Sequence, residues 1–190
     1  MTHADEAPSL TNSSAAVLGM VVLGARSGYD IRRAAERSLR FFWALGPPQI
    51  YAELKRLEAA GLIDGRDDAR GSRARRAFEA TEAGERALRR WLTHGDVGTL
   101  EIRDPEMLRL FFADAVERAD VLDRAGLIRR RSEQALEHFD REIAPAAART
   151  REAGAEFPEH VAEFGRELHE FIVDWCDRLV ATLGAVERKA

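Results

Sequence analysis

The sequence predicts a mainly α chain with a small β-hairpin wing: an N-terminal winged helix-turn-helix, then a C-terminal domain of long antiparallel helices that serves for dimerisation. Three observations predict it. Apolar residues recur at helical spacing along most of the chain. The period falls to two only between Leu62 and Ala80, inside a helical context. The charge is also split: residues 1–98 carry +2 and residues 99–190 carry −6, within a total of −4. The expected organisation is a disordered arm over 1–13, a winged module over 14–98 and an all-helical module over 99–190.

Taken in order, residues 1–11 are polar, contain Pro8 and show no periodicity. Asn12, Ser13 or Ser14 then caps a first helix whose inward positions are Ala15, Leu18, Val21, Val22 and Ala25. Gly24 and Gly28 bracket a break, and a second helix runs from Tyr29 to Ser38 with Ile31, Ala34 and Ala35 inward. Gly46-Pro47-Pro48 stops one element and starts the next, because a proline in the first helical turn lacks only an N–H that has no partner there. The third helix spans Pro47 to Ala60 and ends at Gly61, which suits the left-handed C-terminal position. Strands over Leu62–Arg66 and Arg73–Ala80 are joined by the polar turn Asp67–Ser72. Thr81 caps a fourth helix with Glu82 and Glu85 in its first turn, where the helix dipole favours anions.

The second half reads as helices over Asp104–Glu117, Asp120–Ile143 (stopped or kinked by Pro145) and Pro158 to about Gly184. The last carries a broad stripe of Val161, Phe164, Leu168, Phe171, Ile172, Trp175, Leu179 and Leu183. Such a helix is about 40 Å long. So long a stripe with so few elements to cover it points to a partner subunit, with Phe164, Leu168, Phe171, Ile172, Trp175 and Leu179 as its contact positions. The alternative is that the two long helices cover each other within one chain.

On the third helix, steps of 100° place Ile50, Leu54 and Leu57 in one narrow arc and Pro48, Ala52, Lys55 and Arg56 opposite, flanked by Gln49 and Tyr51. This outer face fits the major groove: Gln49 could read adenine, Tyr51 meet a phosphate or thymine methyl, and Lys55 and Arg56 neutralise phosphates. A solvated surface helix balanced by Glu53 and Glu58 would carry the same cations. The hairpin adds Arg70, Arg73, Arg75 and Arg76 with no acid between Arg70 and Glu79, which fits a wing along a phosphate backbone or a solubilising sheet edge. Between Arg26 and Arg90 the net charge is +5, so the acidic total does not argue against a nucleic-acid partner.

Four segments together resemble the PadR family of bacterial transcriptional regulators: Leu18-Gly19-Met20-Val21-Val22-Leu23, Ser27-Gly28-Tyr29-Asp30-Ile31, the run from Ile50 to Ile63, and Arg75 to Gly84. The resemblance covers Ala15 to Leu92, with Tyr51, Leu54, Leu57, Glu58, Gly61 and Leu62 as its most specific part, and it adds Tyr29 to the DNA-facing candidates. It implies a homodimeric repressor that binds an inverted repeat of double-stranded DNA and is released by a small molecule or another signal. Ser27, Phe78 and Pro47-Pro48-Gln49 depart from the family pattern, so no operator sequence carries over.

Other classes are weakly supported. His160 with Glu163 is the only tight helical pair of metal-ligand type, without a third ligand, and there is no P-loop, GxSxG or dinucleotide-binding glycine pattern, so no cofactor, metal or catalytic residue is expected. Cys176, the lone cysteine, reads as a buried thiol in a reducing cytoplasm. No membrane span is expected from the short apolar run ending at Ala25. Phe41, Phe42, Trp43, Phe111, Phe112 and Phe139 join the C-terminal aromatics as a set that either packs the core or lines a site for a small apolar or aromatic effector. A winged helix used only for protein docking is the competing function.

Overall fold

The computed structural model describes residues 9–39, 42–68 and 75–187. The chain forms two compact units, residues 1–98 and 99–190. In the first, α1 (Asn12–Val22), α2 (Gly28–Ser38) and α3 (Pro47–Ala59) precede an antiparallel hairpin of β1 (Ile63–Asp68) and β2 (Arg75–Ala80), and α4 (Glu82–Thr93) closes the unit. The winged-helix order is therefore present. Its core joins Val17, Leu18 and Val21 of α1 to Ile31 of α2, Ile50, Leu54 and Leu57 of α3, and Ile63 and Phe78 of the hairpin, all buried. A two-stranded hairpin is not stable alone. Here Phe78 and Ile63 dock it on the helices, and the Phe78 amide donates to the Arg26 carbonyl at 2.7 Å.

Several local expectations are corrected. The cap of α1 is Thr11, one residue before the expected group; its hydroxyl accepts from the Ser14 amide. Val22 points outward at 43% exposure, while Val17 and Met20 take the inward places. Helix α2 begins at Gly28 with Ser27 as its cap. In the hairpin, β1 extends through Asp67 and Asp68, which stand opposite Arg76 and Arg75. Asp67 faces Arg76 there, and opposite charges directly across strands stabilise the pairing, which explains why the ladder runs into a segment whose composition reads as a turn. Residues 1–8 of the arm, Phe41, and Arg70 and Arg73 at the wing tip lie outside the described residues. Gly61 has φ +67° and ends α3 as expected. Thr81 caps α4 by accepting from the Gly84 amide, and donates to the Gly61 carbonyl at 2.8 Å, so one side chain joins the ends of two helices.

The second unit holds α5 (Pro105–Phe111), a short 3-10 turn (Ala113–Ala115), α6 (Arg118–His138), α7 (Ala144–Glu152) and α8 (Phe157–Glu187). Helix α5 is shorter than the expected Asp104–Glu117: Asp104 is its cap, and the helical hydrogen bonds end at Phe112. Between α6 and α7 the backbone widens into a π turn over Phe139–Ile143, and Pro145 then sits in the first turn of α7. A proline ring clashes with the carbonyl four residues back, and a π turn is a standard way to absorb that clash without breaking the helix. The chain thus gains a further helix where the sequence suggested only a stop or kink, and α8 passes through Gly184 to Glu187.

Helices α6 and α8 run antiparallel, as successive cross-links show: Arg118 to the Leu183 carbonyl (2.9 Å), Arg129 to Asp177 (2.8 Å), Ser132 beside His169 (3.3 Å) and Arg166 to Asp140 (3.4 Å). Ala162, Gly165 and Cys176 are buried positions of α8. Burial pushes the Cys176 thiol above its ordinary range, so it stays protonated at neutral pH. The expected stripe is divided: Leu168, Ile172, Trp175 and Leu179 are half-buried, whereas Val161, Phe164 and Phe171 are exposed at 42%, 56% and 57%.

Candidate nucleic-acid interface

Helix α3 presents its outer face because Ile50, Leu54 and Leu57 anchor the opposite arc in the core. Pro48, Gln49, Tyr51, Ala52, Lys55 and Arg56 are all exposed. Its N-terminus has no side-chain cap and no acid in the first turn, so the positive end of the helix dipole is offered outward.

Glu53 is not part of that face. It is buried at 5% exposure, its Oε2 accepting from the Ser14 hydroxyl (2.6 Å) and its Oε1 from Arg56 (2.6 Å). The exposed charges of α3 before Leu57 are consequently Lys55 and Arg56, both cationic. Its burial removes Glu53 as a counter-charge from the alternative of a solvated, charge-balanced surface helix. The helical wheel held the signal: Glu53 lies 40° from Leu57, at the edge of the buried arc.

The other counter-charge of that alternative, Glu58 of α3, accepts from Arg76 of β2 at 2.5 Å and raises its guanidinium pKa. Arg76 is thereby paired, and by register it also faces Asp67. The wing is thus less uniformly cationic than the run from Arg70 to Arg76 suggests. Arg66, absent from the sequence-derived set, is exposed on β1 and paired by register with Ala77.

Tyr29 opens α2 as an exposed ring with the Arg32 guanidinium 5.3 Å from its centroid. Tyr51 lies against the same turn: a Cβ built on Gly28 would fall 2.5 Å from Tyr51 Cε1. The two tyrosines and the first turn of α3 therefore belong to one surface, and Gly28 is small because Tyr51 occupies the space beside it. Gln49 donates to the Ser13 hydroxyl at 2.8 Å, bringing the first turn of α1 to the edge of this surface.

Residues 17–90, which contain every described part of this surface except the first turn of α1, match the model of the transcriptional regulator PadR-like family. Over residues 17–90 the chain is PadR-like. Residues 102–184 match a second model, described as virulence activator alpha C-term. The negative transcriptional regulator PadR of Bacillus subtilis (strain 168) is 31% identical over 109 residues, which are 57% of this chain and 60% of that relative's length. Among solved structures, B. subtilis PadR in complex with operator DNA superposes with a TM-score of 0.76 at 23% identity, covering 90% of this chain and 98% of that one. The same protein with p-coumaric acid gives 0.69 at 22% identity, covering 93% and 99%. The PadR-like fold thus extends over both units, with the α3 surface inside the matched segment. Among the described residues, no group of three His, Cys, Asp or Glu is placed to hold a metal ion, and no helix is long and apolar enough to cross a membrane.

Proposed function

We propose that this PadR-like regulator binds double-stranded DNA sequence-specifically as a homodimer and represses from an inverted-repeat operator. In this reading residues 14–98, joined by Thr11–Ser13 at the start of α1, form the DNA-binding unit and residues 99–190 the dimerisation unit. The observation that carries it is the outer face of α3: Gln49, Tyr51, Lys55 and Arg56 are exposed around small Ala52 at an uncapped helix N-terminus, and the one acid among them is turned inward. A helix of this kind enters the major groove with its N-terminal residues at base edges and its cations at phosphates. The solved complex of a PadR with operator DNA supports the same use of this fold.

Release by a small apolar or aromatic molecule completes the proposal. An apolar cavity of about 510 Å³ in the first unit, between α1, α4 and the segment after α2, is lined by Met20, Leu23, Trp43, Leu88 and Trp91. That chemistry suits a planar aromatic ligand, the class to which the p-coumaric acid of the solved PadR complex belongs.

The test is a salt titration of binding to genomic fragments and to a random duplex. Lys55→Ala is expected to weaken both and to flatten the slope of log affinity against log salt by about one unit. Gln49→Ala is expected to cost about 1–3 kcal/mol on the specific fragment alone. Absence of binding to any fragment at low salt overturns the proposal.

A further inference from the structure

Gln49, Glu53 and Arg56 stand at i, i+4 and i+7 and so line one edge of α3. The first turn of α1 lies along that edge. Ser13 accepts from the Gln49 amide at 2.8 Å, and the Ser14 hydroxyl donates to Glu53 at 2.6 Å. With the Ser14 proton committed to Glu53, the Thr11 hydroxyl, 2.9 Å away, donates to Ser14. A chain of hydrogen bonds thus runs from the cap of α1 through a buried carboxylate to Arg56, which is 62% exposed.

A buried carboxylate is costly unless both oxygens are engaged. Here each oxygen has its own partner, one hydroxyl on α1 and one guanidinium on α3, so the plane of the carboxylate is fixed and one end of Arg56 is fixed with it. The guanidinium has five donors, and Glu53 takes one. Holding a long cationic side chain in one orientation before it meets a phosphate removes ordering cost from binding.

We infer that Glu53 is a positioning residue for DNA contact: fixed by Ser14, it sets Arg56 from the buried side of α3, which makes the first turn of α1 part of the recognition apparatus. The inference rests on the reading of α3 as the recognition helix. It also predicts a sign opposite to that of plain electrostatics, in which removing an anion near DNA raises affinity.

The experiment is a double-mutant cycle of Glu53→Met and Arg56→Ala on a duplex that the wild-type protein selects from a random-sequence library. Methionine keeps the side-chain length and removes both oxygens. The expected result is an affinity loss of about three- to tenfold for Glu53→Met and no further loss when Arg56→Ala is already present. Ser14→Ala, which removes the hydroxyl from α1 without touching α3, is expected to show the same pattern, and it carries the test if Glu53→Met fails to fold. Unchanged or raised affinity in Glu53→Met and Ser14→Ala, or losses of equal size in the Arg56→Ala background, overturn the positioning role while the wild-type protein still binds. A wild-type protein that selects no duplex overturns the recognition-helix reading and this inference with it.

Discussion

Gly28 illustrates how a residue without a side chain can control where a neighbouring one sits. It opens α2 with ordinary helical backbone, and its missing Cβ leaves room for the Tyr51 ring. Gly28→Ala is expected to move an exposed ring while leaving the core intact, so its melting temperature should stay within a few degrees of wild type. Its DNA affinity should fall by roughly three- to tenfold, the worth of one polar contact, and match that of Tyr51→Ala. Equal affinities of Gly28→Ala and wild type in a fluorescence-anisotropy titration would remove Tyr51 from the interface. At this scale the sequence was legible where burial follows angle. Ile50, Leu54 and Leu57 fell on one arc, and all three are buried. It was illegible where residue type and position disagree: Glu53 is a carboxylate placed at the margin of that arc, and only the proximity of Ser14 and Arg56 shows that burial wins. Nothing in the sequence indicates that Tyr51 shares space with Gly28, because the two meet through tertiary packing of α2 and α3.

Elements were legible where local chemistry dominates and less so where a neighbour decides. Thr81, Gly61 and Pro47 mark their helix ends through caps and backbone preferences, which are properties of a few adjacent residues. The hairpin instead grew by two residues where Asp67 faces Arg76 across the strands, and Pro145 was absorbed by a π turn. The contact of α6 with α8 gives a prediction at this scale. His169 of α8 faces Ser132 and lies near Arg131 of α6; burial and then the Arg131 charge hold its pKa below the ordinary 6.5. Its folded-state pKa is therefore lower than its unfolded one, so the unfolded chain binds more protons between those two values. Stability should accordingly fall as pH drops from about 7 toward 5, a window in which ordinary carboxylates remain ionised. His169→Gln, which keeps a hydrogen-bonding group beside Ser132, should flatten the pH dependence of the urea midpoint across that window. An identical dependence in the variant would mean that His169 is not the group responsible.

At the scale of the whole molecule, what α8 leaves uncovered predicts an assembly. Phe157, Val161, Phe164, Leu168, Phe171 and Trp175 recur at alternating steps of four and three, a mean period of 3.6 that keeps them on one face for a second helix to cover. Phe157, Val161, Phe164 and Phe171 are all exposed, beyond what scattered surface apolar residues account for. Covering a phenylalanine is worth about 1.5–3 kcal/mol, so two phenylalanines on each of two protomers outweigh the low end of the entropy lost on association. The expected species is a dimer with a sedimentation mass near twice 21.2 kDa. Phe164→Glu with Phe171→Glu should convert it to a monomer of unchanged helix content, because neither residue is buried within the chain. DNA binding should weaken with it. An inverted repeat is read by two α3 helices roughly 34 Å apart, one DNA turn, and a monomer has only one to offer. The acidic balance of residues 99–190 imposes no penalty on the proposed arrangement, in which those residues are to meet a second copy or solvent and the +5 segment from Arg26 to Arg90 is to meet phosphate. A wild-type protein that sediments as a monomer at micromolar concentration would refute the dimer, and the inverted-repeat operator would lose its structural basis.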